Sequence, residues 1–318
     1  MIAAKPHRIL LSTTGLDPSR WLEEFSRQTS REVVEEPDGA NDPSIRFAVV
    51  WKQRSGVLAR LPNLRAVFSI GAGVDHLFGD TQIPQVPIVR VVADDLTLRM
   101  SEYVVWQVLD HLRQGWIYRD QQARKIWREP WQPAASDLTI GIMGLGVLGS
   151  DAGKKLKALG FNVTGWSRRG KHVDGIAGFH GAAQLPAFVG GCDMLVVLLP
   201  LTPATRGIIS KDLLGHLKPA TPIGGAVLIN AGRGGLQVDA DIMRALESGA
   251  LMAASLDVFE IEPLPRDSGL WSHPRVTITP HAAATSDPAR LVPIMVRQMD
   301  EFDAGMPLEN LVDRATQY

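Results

Sequence analysis

A chain of 318 residues, 45% hydrophobic and 21% charged, has the make-up of a globular protein with room for two domains, which excludes a disordered or fibrous molecule. The formal net charge of -1 offers no basic surface for nucleic acid or anionic membranes. A single cysteine, Cys192, excludes an intrachain disulfide and a multi-cysteine metal site, and suits a reducing compartment. Between Met1 and Ile9 there is too little apolar sequence for a signal peptide, and no apolar run reaches membrane-spanning length. A cytoplasmic protein that binds no metal, no nucleic acid and no membrane is expected.

Short apolar runs alternate with helical-length segments along the whole chain, the pattern of βα units around parallel sheets. Strands are predicted at Ile9–Leu11, Phe47–Trp51, Ala66–Ile70 and Ile88–Val92, with helices at Trp21–Gln28 and around Val57–Leu61. One long helix is predicted from Ser101 to Trp127, carrying Val104, Val108 and Leu112 on one face, before the polar stretch Arg128–Ser136 breaks it. A second alternating series follows. Its strands are Leu138–Met143, Val163–Trp166, Met194–Leu199, Val227–Asn230, Ala253–Val258 and Val276–Thr279; helices fall at Leu148–Leu159, Lys211–Leu217 and Ala240–Ser248. After Ser286 only one helix, with Leu291, Met295 and Met299, remains, and it has no sheet of its own. The expectation is therefore α/β: two doubly wound parallel-sheet domains, flavodoxin- or Rossmann-like, with a cleft between them. The first is discontinuous, residues 1–100 and 286–318; the second, 101–285, includes the linking helix.

Chemistry gathers where strands end. Gly144, Gly146 and Gly149 follow one strand and open a helix, with Val147 and Leu148 between them, as a dinucleotide turn requires. Missing side chains allow the tight turn and let backbone N–H groups approach a pyrophosphate at the helix N-terminus. The next strand ends in Ser167, Arg168 and Arg169 where an NAD site places a carboxylate for the ribose 2′-hydroxyl. Guanidinium groups there match a 2′-phosphate, so NADP(H) is the preferred cofactor and NAD(H) a possible one. The Gly71-Ala72-Gly73 turn reads equally as an anion-binding nest or a simple strand-to-helix turn.

Arg233, Glu262 and His281 each stand just after an apolar run. Singly, the first is a loop arginine, the second a solvated carboxylate, and the third one of eight histidines. Together, at the carboxyl ends of strands, they can grip a carboxylate substrate and donate a proton to it.

These motifs, with Leu199-Pro200-x-Thr202-x-x-Thr205, Asn230-x-x-Arg233-Gly234 and Leu256-Asp257-Val258-Phe259, resemble the D-isomer-specific 2-hydroxyacid dehydrogenase family over nearly the whole chain. Within it, Trp51, Trp166-Ser167-Arg168 and the run Leu270–His281 look most like bacterial A-type glyoxylate/hydroxypyruvate reductases. The resemblance implies catalytic roles for Arg233, Glu262 and His281. It implies cofactor contacts from Leu199, Pro200, Thr205, Ala231, Gly232 and Asp257, and substrate contacts from Trp51, Ala72 and Gly73 besides Arg233 and His281. It further implies NADPH-dependent reduction of a small 2-oxo acid to a 2-hydroxy acid with His281 as general acid, and a homodimer formed through the cofactor domain. A nucleotide-sensing corepressor on the same fold is the alternative. The segment Asp94–Met100, with Arg99, departs from the reductase pattern and leaves the identity of the acid open.

Overall fold

A computed structural model describes residues 7–36, 38–71 and 73–317. The chain divides into two units, one formed by residues up to Leu96 and from Ser286 onward, the other by Thr97–Thr285.

The first unit contains β1 (Arg8–Thr13), α1 (Ser19–Gln28), β2 (Val33–Glu35), β3 (Ile45–Trp51), β4 (Ala66–Ser69), α2 (Asp75–Phe78) and β5 (Ile88–Arg90). Its strands are all parallel in the order β2-β1-β3-β4-β5, a doubly wound sheet. The strands are apolar at nearly every position because both faces are covered. Side-chain alternation sends Ile9, Leu11, Phe47 and Val49 into one core, and Leu10, Ala48 and Val50 into another on the opposite face.

Helix α3 (Asp94–Leu112) carries the chain onward to α4 (Gly115–Ala123), β6 (Thr139–Met143), α5 (Val147–Ala158), β7 (Asn162–Ser167) and β8 (Ala177–His180). Then come α6 (Gly181–Gly190), β9 (Met194–Val197), α7 (Lys211–Leu214), β10 (Ala226–Asn230), α8 (Asp239–Ser248), β11 (Leu251–Leu256) and β12 (Val276–Ile278). The strands of this second unit are parallel in the order β12-β11-β10-β9-β6-β7-β8. Strand order reverses between β6 and β9, the point where open α/β sheets bind ligands. The last helix, α9 (Pro288–Asp303), belongs to the first unit. Its Leu291, Met295 and Met299 share a core with Trp21 and Phe25 of α1, and Arg31 pairs with Asp303 at 3.0 Å.

Several elements differ from the sequence-based expectation. The long helix starts earlier, at Asp94, and stops at Leu112; Gln114 takes φ 55°, and α4 begins anew at Gly115. A side chain on Gly115 would collide with the Asp110 carboxylate, which Arg119 clamps at 2.9 Å, so the chain folds back on itself there. The Val57–Leu61 stretch is a single turn of 3-10 helix, Leu58–Arg60, and the helix from Lys211 ends at Leu214. Strand β8 and helix α6 have no counterpart in the hydrophobic pattern. The former is a mostly exposed edge, and the latter carries Pro186 inside and glycine at both ends.

Candidate active site

In the second unit the loop after β6 opens directly into α5. Gly144 has φ 116°, and a Cβ on it would lie 2.8 Å from the Leu198 carbonyl oxygen. A Cβ on Gly149 would collide with the Gly144 carbonyl, so the helix start can press on the strand end only because both are glycine. The first helical bond of α5 runs from the Ser150 N–H to the Gly146 carbonyl at 3.0 Å. The amides before it, in Val147 and Leu148, are the orphan donors of a helix start, and Val147 is exposed. This cradle fits a pyrophosphate.

Strand β7 lies beside β6, and at its end Ser167 Oγ donates to the Arg169 carbonyl at 2.6 Å. Arg168 and Arg169 are exposed there, and among the described residues neither guanidinium meets a carboxylate. On the other side of β6, after β9, Thr205 Oγ1 donates to the Pro200 carbonyl at 2.7 Å and accepts from the Thr202 N–H at 2.8 Å. Those bonds fix the Leu199–Thr205 loop beside the glycine turn.

The loop after β10 carries Ala231, Gly232 and Arg233. Buried Asn230 organises it: Oδ1 accepts the Gly232 N–H at 3.1 Å, while Nδ2 donates to the Arg233 carbonyl at 3.2 Å and to Gln237 Oε1 at 2.8 Å. Arg233 itself is half-buried, with Nη1 donating to the Gly232 carbonyl at 2.8 Å. Next to it, any side chain on Gly234 would overlap the Phe259 carbonyl. The backbone after Arg233 thus touches the loop that carries Glu262.

His281 and Glu262 are brought together. Nδ1 of His281 lies 2.9 Å from Oε2 and 3.1 Å from Oε1 of Glu262, and Oε1 also accepts the Phe259 N–H at 3.1 Å. A carboxylate only accepts, so Nδ1 carries a proton and donates it to Glu262. The His281 backbone is left-handed, φ 55°, and its N–H donates to the Asp257 carbonyl at 2.7 Å. The Asp257 carboxylate, 1% exposed, accepts from the amides of Ala282 at 2.8 Å and Ala283 at 3.0 Å, and from Thr279 Oγ1 at 2.6 Å. Because the Thr279 proton is spent on that bond, the Tyr103 hydroxyl donates to Thr279 Oγ1 at 2.8 Å. Burial, opposed only in part by this bond, raises the phenol above its ordinary range and keeps it a donor.

The first unit holds Trp51 at the end of β3 and Gly73 after β4, both partly exposed. A side chain on Gly71 would collide with the Trp51 indole, so ring and turn are in contact. Ala72 lies outside the described residues. Arg99, singled out for its departure from pattern, sits within α3.

Asn230, Gly234 and Thr279 stood in motifs read from the sequence but were given no role there, and Tyr103 was given none either. Tyr103 reads only as part of a helical stripe, and its hydroxyl contact is 176 residues away in the chain.

The family model for the D-isomer specific 2-hydroxyacid dehydrogenase NAD binding domain matches residues 105–283. The chain is 39% identical over 300 residues to glyoxylate/hydroxypyruvate reductase A of Serratia proteamaculans, covering 92% of this chain and 94% of that protein. Among solved structures it is similar to an NADPH-dependent glyoxylate/hydroxypyruvate reductase from Sinorhizobium meliloti in complex with NADP and sulfate. The TM-score is 0.93 at 45% identity, covering 98% of this chain and 100% of that one. A probable 2-hydroxyacid dehydrogenase from Rhizobium etli, in complex with NADP, HEPES and L(+)-tartaric acid, gives a TM-score of 0.91 at 41% identity, covering 98% and 99%.

Proposed function

Since the chain belongs to the D-isomer-specific 2-hydroxyacid dehydrogenase family, we propose that it reduces small 2-oxo acids, glyoxylate and hydroxypyruvate among them, to 2-hydroxy acids with NADPH. The observation that carries this reading is the imidazole of His281 seated by Nδ1 on Glu262. The relatives named as reductases, and the NADP found in similar structures, support the same chemistry.

The cofactor is assigned to the second unit: its pyrophosphate to the turn Gly144–Gly149, its 2′-phosphate to Ser167, Arg168 and Arg169, and its nucleoside to Leu199, Pro200 and Thr205. When bound, the reduced nicotinamide supplies the hydride for the 2-oxo carbon. Ala231, Gly232 and Asp257 border that end of the cofactor in this reading. His281 gives its Nε2 proton to the carbonyl oxygen, a general-acid step that contributes ~10²–10⁴-fold. Glu262 fixes the tautomer and balances the imidazolium charge. Arg233 holds the substrate carboxylate and the charge that develops on the oxygen, joining orientation to electrostatic stabilisation. Trp51 and Gly73 are proposed as further contacts for the acid.

We also infer that two copies pair through the second unit. Trp106, Trp127 and Trp131, around α3 and α4, are 52%, 103% and 70% exposed, large apolar side chains that a partner could bury. Such pairing gives twice the chain mass in solution.

The test is steady-state turnover with a panel of 2-oxo acids, NADPH and NADH. Reduction of glyoxylate and hydroxypyruvate with NADPH preferred supports the reading. Tight NADPH binding with no turnover of any acid would instead identify a nucleotide-sensing protein.

A further inference from the structure

Parallel strands β3 and β4 pair with Val50 opposite Ser69, so the loops that follow them emerge side by side. One carries Trp51, Lys52 and Gln53; the other carries Gly71 and Gly73. The imidazole of His76, on α2, bonds to the first loop directly and reaches the second through Ser69, the last residue of β4. Its Nδ1 is 3.3 Å from the Lys52 backbone N–H, with the Gln53 side-chain amide at 3.2 Å, and its Nε2 is 3.1 Å from Ser69 Oγ. Its ring centroid is 5.2 Å from that of Trp51.

Proton order follows from these contacts. A backbone N–H can only donate, so Nδ1 accepts from Lys52 and Nε2 carries the ring proton. Nε2–H then donates to Ser69 Oγ. The Ser69 hydroxyl, in a fully buried residue, is thereby free to donate to the carbonyl oxygen of Gly71 at 3.3 Å or Gly73 at 3.4 Å. Gln53 Oε1 faces Nδ1 at 3.2 Å while its Nε2 is buried with no partner among the described residues; exchanging the amide oxygen and nitrogen would give Nδ1 a second donor. The result is one directed chain of donors: Lys52 amide to His76, His76 to Ser69, Ser69 to the glycine turn. Lys52 itself is held at φ 48°, in the left-handed region.

We propose that His76 is a positioning residue of the substrate pocket, tying the Trp51 loop to the Gly71–Gly73 turn so that both present a fixed surface to the 2-oxo acid. This rests on the reading of Trp51 and the glycine turn as substrate contacts. The imidazole touches no reacting atom in this account; it acts through the two loops.

The experiment uses full-length enzyme, glyoxylate and hydroxypyruvate, with NADPH at saturation. His76→Ala is expected to raise KM for the acids by about 5- to 20-fold, the scale of one or two buried hydrogen bonds, while kcat and NADPH affinity change little. His76→Asn, which retains an acceptor where Nδ1 stands, and His76→Gln, which retains a donor where Nε2 stands, should each recover part of the loss. Combined with Trp51→Ala, the His76→Ala change should add little, because the residue it positions is already gone. Melting temperatures for all variants separate pocket effects from unfolding. An unchanged KM in His76→Ala, or fully additive effects in the double variant, overturns the clamp while leaving Trp51 in the pocket. An unchanged KM in Trp51→Ala alone removes the pocket reading, and the clamp with it.

Discussion

At the scale of single residues, His281 shows how a ring is oriented. A histidine at φ 55° is held in a sparsely populated conformation at a cost of about 1–3 kcal/mol. Its amide bond to the Asp257 carbonyl, and the two amides that follow it on the Asp257 carboxylate, hold it there. One buried carboxylate thus sets the backbone, and Glu262 sets the ring. The pairing of His281 with Glu262 had a signal in the sequence, since both lie in loops that follow strands. Its orientation had none, because Asp257, Thr279 and Tyr103 meet only through tertiary folding. Arg168 and Arg169 belong to the same scale. Replacing both by alanine should lower kcat/KM for NADPH by about 10- to 100-fold, the worth of one or two charge-assisted hydrogen bonds, with NADH affected far less. Equal losses with the two cofactors would show that the pair does not read the 2′-phosphate.

Between elements, the packing of α3 on the second sheet depends on a polar contact inside an apolar layer. His111 of α3 is 2% exposed, and its Nε2 lies 2.8 Å from Ser255 Oγ of β11. Burial lowers the imidazole from 6.5 to about 4. The unfolded chain therefore protonates below about 6.5 and the folded one only below about 4. In that window the unfolded state binds more protons, so stability is complete above it and declines as pH falls through it, by at most about 3 kcal/mol. Urea unfolding at pH 7 and pH 4.5 should show a smaller drop in His111→Gln than in the wild type; equal drops would remove His111 as the cause. The core strands were readable because both faces of each sheet are buried and the runs are apolar throughout. Strand β8, with three of its four residues exposed, and the glycine-bounded α6 send no such signal, since pairing with β7 rather than burial holds that edge. The break at Gln114 was hidden for another reason: the helical stripe is continuous, and only the close approach of Gly115 to Asp110 interrupts it.

For the molecule as a whole, the informative feature was a final helix without a sheet. Leu291, Met295 and Met299 need an apolar partner, and α1 supplies one from the other end of the chain. The second unit can then run without interruption from Thr97 to Thr285, with the glycine turn at its switch point and the His281–Glu262 pair on its later loops. The central claim is that this unit binds NADPH and supplies the acid separately, so the two can be uncoupled. The direct measurement compares His281→Ala with the wild type for both NADPH affinity and glyoxylate turnover. The account predicts unchanged affinity and a kcat reduced by ~10²–10⁴-fold. Undiminished turnover in that variant would contradict it.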